Sequence, residues 1–269
     1  MRKFVAPLAL AAASFISSSA NAQQAAATPS PVTGNITLAS EYRFRGIDQT
    51  AGKPAIQGGF DYSHASGVYL GNWNSNISQG AGFPGGNIEM DFYGGWKKAF
   101  GDFGLDVGAI YYYYPGTDAA FLGAANPHSG KTNNSNVHNT EFYIGGSWKW
   151  LSVKWFHALS DYFSIPDTSG TNYLDFAGTF DMGNGWGLVG HVGLLKAQGY
   201  TELNYTDYKL GVTKDITGWV LGAAYVGSNA KGNCPFDATS SPYCFSNSIG
   251  QAPRDAGRST VVLSVGKTF

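Results

Sequence analysis

Alternation of apolar and polar residues runs through this sequence from Gly34 to its last residue. It comes in runs of about nine to twelve residues, and a turn or loop follows each run. In the final run, TVVLSVGKTF, one side carries Val261, Leu263, Val265 and Phe269. A period of two residues is typical of a β-strand whose two faces meet different environments. About twelve such runs predict an all-β chain.

The connections between these runs alternate between short and long. Short ones include SHASG, AFGD and MGNG, and two of the long, polar ones cover residues 115–138 and 228–258. An outer-membrane barrel has short periplasmic turns and longer external loops. Backbone groups in lipid must all be paired, so strands cross a membrane only as a closed barrel. We therefore predict a closed antiparallel up-and-down transmembrane β-barrel of about 12 strands, with the last strand paired to the first.

A soluble β-sandwich or lipocalin-like barrel is the alternative that alternation alone leaves open. Its apolar faces would fill a core, and its strands would be shorter. Only 13% of the residues are charged, about half the usual share, and 15% are aromatic. An N-terminal signal peptide, strand length, the alternating connections and the terminal Phe269 together favour the transmembrane barrel.

The first 22 residues have the three parts of a secretory signal peptide. Arg2 and Lys3 begin it, an apolar run covers residues 4–16, and Ala20-Asn21-Ala22 is a small-residue cleavage site. We expect Sec-type export and cleavage near Ala22.

The remaining chain divides into a flexible periplasmic tail over residues 23–33 and the barrel over residues 34–269. The full chain has a formal charge of −1, and loss of Arg2 and Lys3 without any acid leaves −3. This balance argues against a nucleic-acid partner.

Two blocks near the start of the predicted barrel resemble a known family. Residues 36–76 contain SEYRFRGIDQT, KPAIQGGFDY and GVYLGNW, and residues 88–96 read IEMDFYGGW. These blocks are similar to the TorF-type, porin-like proteins of the Gcw_chp family. The resemblance implies a bacterial outer-membrane barrel that conducts small solutes, and it brings no catalytic motif. A terminal aromatic such as Phe269 also resembles the signal that the outer-membrane assembly machinery reads.

If the barrel is a channel, its chemistry lies on the wall of the lumen. Fixed charges of both signs there select solutes by charge. The acids outnumber the bases, which indicates a mild cation preference. The pore-lining candidates are Glu41, Arg43, Arg45, Asp61, Glu89, Asp91, Lys97, Asp106, Glu141, Lys149, Asp175, His191, Asp207 and Lys209.

Arg43 and Arg45, in EYRFRG, point the same way with Glu41 behind them. Two interpretations stay open for this pair. The guanidinium groups form a ladder that holds carboxylate or phosphate groups of a solute. Alternatively, they form internal salt bridges to Glu41 or to an acid on a neighbouring strand.

The sequence predicts neither an enzyme nor a metal site. Ser160 and His157 form the nearest nucleophile and base, but a spacing of three residues points them to opposite faces of one strand. Cys234 and Cys244 are expected to form a disulfide in an exported protein. Two thiols without a nearby histidine are half of a metal ligand set.

The predicted function is passive diffusion of small hydrophilic solutes through the bacterial outer membrane, without a cofactor. The expected partners are outer-membrane lipid, the assembly machinery and the solutes, and the oligomeric state stays open. The alternative is a plugged structural or adhesion barrel that acts through its long third and sixth external loops.

Overall fold

The computed structural model describes residues 30–79, 83, 85–119, 135–230, 232, 234, 242–245 and 254–269. The predicted signal peptide and most of the predicted tail lie outside these residues. No helix among them is long and apolar enough to cross a membrane.

The described residues form sixteen strands and two single 3-10 turns, Tyr162–Ser164 and Thr201–Leu203. In chain order the strands are β1 (Val32–Ala39), β2 (Arg43–Phe44), β3 (Ile47–Asp48), β4 (Ala55–Ser63), β5 (Val68–Asn76), β6 (Ile88–Phe100), β7 (Phe103–Tyr114), β8 (Val137–Trp148), β9 (Leu151–Ala158), β10 (Asn172–Gly183), β11 (Trp186–Lys196), β12 (Tyr205–Ile216), β13 (Trp219–Ser228), β14 (Cys244–Phe245), β15 (Arg254–Asp255) and β16 (Thr260–Thr268).

Twelve of these strands close into one antiparallel barrel, in the order β1-β16-β13-β12-β11-β10-β9-β8-β7-β6-β5-β4. The chain closes it at its very end, where Phe269 N donates to the Gly34 carbonyl at 2.8 Å. Gly34 N donates back to the Phe269 carbonyl at 3.2 Å. The predicted fold is confirmed, including the pairing of the last strand with the first.

The barrel is apolar outside and polar inside. Phe60 and Leu210 face outward and are 66% and 63% exposed. Glu89, Asp91 and Asp207 face the lumen and are 0–1% exposed. A water-soluble barrel has the opposite arrangement, because its apolar side chains fill the core. The soluble alternative therefore does not describe these strands.

The connections sort by length onto the two ends of the barrel. One end carries turns of two to four residues, such as 64–67, 101–102 and 149–150. The other end, which we call the outer end, carries the long connections 40–54, 77–87, 115–136, 159–171, 197–204 and 229–259. Most of the predicted third and sixth external loops lies outside the described residues.

The apolar–polar alternation of the sequence continues through Tyr42 and Phe44, but the first barrel strand does not extend that far. Strand β1 ends at Ala39, where Ser40 N donates to the Leu263 carbonyl at 2.8 Å. The chain then turns into the barrel. Alternation would place Tyr42 and Phe44 on the lipid-facing side, but both rings lie in the lumen, and Tyr42 is 2% exposed.

Candidate functional site: the lumen and its inward hairpin

Residues 40–54, which we call the inward hairpin, fold from the outer end into the lumen. Strands β2 and β3 pair within it, with Arg43 opposite Asp48 and Phe44 opposite Ile47. Arg45 and Gly46 connect them with φ of 47° and 79°. Positive φ at both central residues is what a two-residue hairpin turn of type I′ requires.

The tip of the inward hairpin presses against the barrel wall at Gly46. A Cβ added there would lie 2.6 Å from Cβ of Asp207 and 2.9 Å from the carbonyl oxygen of Gly227. These residues belong to β12 and β13. Glycine is therefore needed at this position both for its backbone conformation and for the close approach.

Arg45 anchors the tip on the opposite side of the turn. Its Nη1 and Nη2 donate to the two carboxylate oxygens of Glu141 at 2.9 and 2.7 Å. Nη1 also donates to Tyr162 Oη at 3.1 Å. The guanidinium carbon lies 4.0 Å from the ring centroid of Tyr173 and 4.9 Å from that of Phe156. A bidentate ion pair enclosed by aromatic faces is a strong and directional contact.

Burial raises the pKa of Tyr162 to about 12, although the Arg45 guanidinium opposes this shift. The phenol therefore keeps its proton at neutral pH and stays neutral beside Arg45.

A second ion-pair network fixes the base of the inward hairpin. Arg43 donates to the Glu41 carboxylate at 3.1 Å and to the Ala256 carbonyl at 2.9 Å. Arg258 donates to the carboxylates of Asp48 and Glu41 at 2.7 and 3.0 Å. The connection between β13 and β16 thus binds the inward hairpin through these ion pairs and hydrogen bonds. Arg43 and Arg45 both form internal salt bridges, the second of the two interpretations of EYRFRG.

The lumen wall also carries a paired set of charges. Asp106 accepts from Lys154 Nζ and from Tyr69 Oη, each at 2.6 Å. His191 lies between two acids, with Nδ1 2.7 Å from Asp175 and Nε2 2.5 Å from Asp207. The contacts of Asp106 connect β7 to β5 and β9, each across one intervening strand, and those of His191 connect β11 to its neighbours β10 and β12.

Nearer the outer end, three inward-facing wall residues keep polar atoms without a partner. Glu89 Oε2, Asp91 Oδ1 and both amide atoms of Asn139 have no hydrogen-bond partner among the described residues. All three side chains are fully buried. Buried polar atoms are nearly always paired in proteins, so this group needs an explanation.

The predicted pore-lining residues fall into three places. Glu41, Arg43 and Arg45 lie in the lumen, but on the inward hairpin rather than on the wall. Lys149 differs from the prediction, because it lies exposed in the short turn after β8 with Nζ over the Trp148 ring. The others lie on inward-facing wall positions: Asp61, Glu89, Asp91, Lys97, Asp106, Glu141, Asp175, His191, Asp207 and Lys209.

The sequence reasoning missed Lys154, Asn139 and the inward phenols of Tyr112 and Tyr114. Of these residues, only Lys154 could have been predicted to face the lumen, because it lies between the outward-facing Val153 and Trp155 on β9. Asn and Tyr occur on both faces of strands and in loops, so their residue type did not indicate that they face the lumen.

The remaining sequence candidates lie apart from the lumen charges. Cys234 and Cys244 form a disulfide in the last connection, with their Cα atoms 5.4 Å apart. Ser160 Oγ accepts from Thr140 N at 2.9 Å, while His157 Nδ1 contacts Asn172 Oδ1 at 3.0 Å. Ser160 and His157 therefore have different partners.

A wide groove of about 730 Å³ lies on the outward surface, among Trp148, Trp150, Phe176, Phe180 and Leu188. Its lining is almost entirely apolar. By contrast, a cavity of about 40 Å³ lies against the inward hairpin, beside Glu41, Tyr42 and Lys209. That volume holds only a few water molecules. The groove belongs to the outward apolar surface, and the charged lumen is the candidate solute path.

A sequence profile described as "Bacterial protein of unknown function (Gcw_chp)" matches residues 23–269. Among proteins with curated descriptions, none matches the chain.

Several solved structures resemble the barrel. A KdgM porin in complex with disordered oligogalacturonate gives a TM-score of 0.47 at 8% identity, over 88% of this chain and 97% of that one. OccAB2 of Acinetobacter baumannii gives 0.41 at 9% identity, over 87% and 59%. A FadL homologue of Pseudomonas aeruginosa gives 0.37 at 11% identity, over 89% and 90%. At these scores the likenesses carry no argument about the function of this chain.

Proposed function

The chain belongs to the Gcw_chp family of bacterial proteins, and from that premise we propose that it is a porin-like channel of the bacterial outer membrane. It passes small hydrophilic solutes by diffusion, and the inward hairpin closes it at rest. Export by the signal peptide of residues 1–22 and insertion by the assembly machinery, with Phe269 as the signal, complete the proposal.

The observation that carries this proposal is the reversed polarity of the barrel. Apolar side chains such as Phe60 and Leu210 face outward, while Asp106, Asp175 and Asp207 are buried inside. The outward apolar side chains are compatible with lipid, and a polar interior is typical of an outer-membrane channel. A closed sheet leaves no unpaired strand edge in the membrane.

The inward hairpin supports a closed resting state. It fills the lumen with Tyr42, Phe44, Arg43 and Arg45, and all four contact the wall or another connection. It has no strand pairing with the wall among the described residues, because β2 and β3 pair only with each other. Its attachment therefore depends on side-chain contacts and on a few backbone hydrogen bonds at Ser40, Asp48 and Gln49, which can break without opening the barrel.

The same observation favours a second candidate, the plugged structural barrel. If the hairpin never leaves the lumen, the protein conducts nothing and acts through its outer end. The two candidates differ in whether removal of the hairpin reveals a pore that the intact protein also uses.

The barrel offers a clean way to remove the hairpin. Ala39 and Ala55 lie opposite each other at the ends of β1 and β4. A two-residue Asn-Gly turn can join them in place of residues 40–54. We expect this variant, refolded in planar bilayers, to conduct in long steps, while the intact protein shows brief and rare steps of the same size.

Charge selectivity is measured in the same bilayers with a salt gradient. Among buried side chains of the described barrel strands, six are acids and Lys154 is the single base. A reversal potential of cation-selective sign is therefore expected. An intact protein that stays silent while the hairpin-free variant conducts would establish the plugged barrel, and silence of both would remove the channel altogether.

A further inference from the structure

Glu89, Asp91 and Asn139 form one patch on the lumen wall near the outer end, which we call the acidic patch. Glu89 and Asp91 lie on the inward face of β6. Asp91 pairs with Tyr112 on β7, and Tyr112 pairs with Asn139 on β8. The three side chains thus flank one tyrosine on the same side of the sheet, at 0%, 1% and 0% exposure.

The groups around the acidic patch do not neutralise it. Tyr114 Oη donates to Glu89 Oε1 at 2.8 Å, and Tyr42 also interacts with this carboxylate. Asp91 has Glu89 and Glu141 as its charged neighbours. Among the described residues, the charged groups that act on Asp91 are therefore also acids. Buried carboxylates without a positive partner are costly, and a bound cation would offset that cost.

The donor set of the acidic patch fits an organic cation better than a metal ion. No group of three acidic, histidine or cysteine residues in the described part of the chain is arranged to hold a metal. The patch instead offers separate acceptors, Glu89 Oε2, Asp91 Oδ1 and Asn139 Oδ1, together with the aromatic rings of Tyr112 and Tyr114. Ammonium and guanidinium groups carry several N–H donors and pack on aromatic faces.

The lumen already holds one such cation, which belongs to the protein itself. The guanidinium of Arg45 lies on Glu141, the acid that also neighbours Asp91. Aromatic rings surround it, among them Phe44 at 4.9 Å. A carboxylate with aromatic walls therefore binds a guanidinium in this lumen, one step along the wall from the acidic patch.

The inward hairpin covers the acidic patch. The Tyr42 ring packs against Trp73 with centroids 5.4 Å apart, and the Phe44 ring packs against Tyr112 at 5.5 Å. A solute reaches Glu89 and Asp91 from the outer end only after these two rings move. Binding at the patch is thereby coupled to displacement of the hairpin.

We infer that the acidic patch binds a small organic cation with an ammonium or guanidinium group, and that Arg45 is the tethered competitor held beside it. The inference deepens the proposed channel function by naming the class of solute, and it rests on that function only for the route of entry.

The test is calorimetric titration of the full chain, refolded in detergent, with methylguanidinium and methylammonium chloride. Methylurea, a neutral molecule of nearly the same shape as methylguanidinium, is the control probe. We expect saturable binding of at least one cation and none of methylurea. Arg45→Gln should tighten binding severalfold, because the tethered competitor is gone.

Matched variants locate the site. Glu89→Gln with Asp91→Asn should weaken binding at least tenfold, and both substitutions keep the shape of the side chains. Asp61→Asn is the control, because this lumen acid lies on β4 and is already paired with Tyr93 Oη at 2.6 Å. Heat-modified gel mobility checks that every variant is folded. Equal binding by the double variant, equal binding of methylurea, or no saturable binding to wild type and Arg45→Gln would each overturn the inference.

The result is separable from that of the conductance experiment. A protein that binds the cations but conducts no current loses the channel function and keeps the acidic patch as a binding site. A protein that conducts but binds neither cation keeps the channel function and loses this inference.

Discussion

At the scale of single residues, Arg45 is the most informative position in the chain. It adopts a φ of 47°, in the left-handed region that non-glycine residues avoid. Such a conformation costs about 1–3 kcal/mol and persists only where surrounding contacts enforce it. Here the contacts are the bidentate pair with Glu141 and the ring of Tyr173. The strain therefore indicates that the side chain, and not the backbone, determines this turn.

Arg45→Gln is expected to release the inward hairpin, because it removes the anchor and leaves Glu141 buried without its partner. Loss of one member of a buried ion pair costs about 3–5 kcal/mol. Conductance steps of the refolded variant should become at least tenfold more frequent than in wild type.

Arg45→Gln combined with Glu141→Gln separates release from destabilisation. In the double variant Glu141 no longer leaves a buried charge without its Arg45 partner, so the unfolding temperature on a gel should recover while the high step frequency persists. Lys98→Gln, at an exposed position near the short turns, is the neutral control. Step frequencies of the two Arg45 variants that match wild type would show that Arg45 does not hold the lumen closed.

At the scale of elements, alternation predicted the barrel wall well and the inward hairpin not at all. A wall strand meets lipid on one face and polar groups on the other, so its sequence has to alternate along its whole length. The alternation happens to continue past Ala39 through Tyr42 and Phe44. Nothing local marks where the chain leaves the wall, since the contacts that draw it inward come from Glu141 and Arg258, far away in sequence.

The candidate site was predictable to the same extent. Glu89, Asp91 and Glu141 carry charge at inward positions of regular strands. Their residue type and their place in the alternation were therefore enough to predict that they face the lumen. Asn139 could be identified only from the structure, because its importance comes from lying beside Asp91 across Tyr112. Lys149 was predicted to face the lumen because the alternation of β8 was extended by one residue too many. Strand β8 ends at Trp148, so Lys149 lies in the turn, where the alternation no longer applies.

Gly46→Ala tests whether the tip of the inward hairpin packs against the barrel wall. The added methyl group would clash with Asp207 and Gly227, in addition to the strain of a positive φ. Cleavage by trypsin after Arg43 and Arg45, which are buried in the seated hairpin, should become about tenfold faster.

Gly101→Ala is the matched control for this prediction. Gly101 also has a positive φ, 66°, but an added Cβ would meet nothing within 4 Å. It should leave the cleavage rate at Arg43 and Arg45 unchanged, with fragments identified by mass spectrometry. Equal rates for Gly46→Ala and wild type would mean that the tip does not press on the wall.

At the scale of the whole molecule, the barrel is complete only when its first and last described segments meet. Strand β16 pairs with β1 on one side and β13 on the other, and Phe269 and Gly34 exchange two backbone hydrogen bonds. The backbone of Phe269 thus seals the barrel. Its side chain, 70% exposed on the outside, makes no contribution to the sealing.

Phe269→Ala should therefore separate folding from assembly. Refolding in detergent should proceed with unchanged yield, because both backbone bonds remain. In cells, the fraction of protein that reaches the outer membrane in heat-modifiable form should fall severalfold. Leu263→Ala, at another outward position of β16 that is 57% exposed, is the control. An equal loss in both variants would indicate a general effect of outward apolar surface.

The pairing of Ala39 with Ala55 has a consequence for how such proteins can change over evolutionary time. The fifteen residues between them, 40–54, begin and end at adjacent points of an intact sheet. Their sequence and length can therefore drift, shrink or disappear while every wall strand keeps its register. Selection can change the inward segment together with the few wall residues that contact it, such as Asp207 and Glu141, without disturbing the pairing of the wall strands.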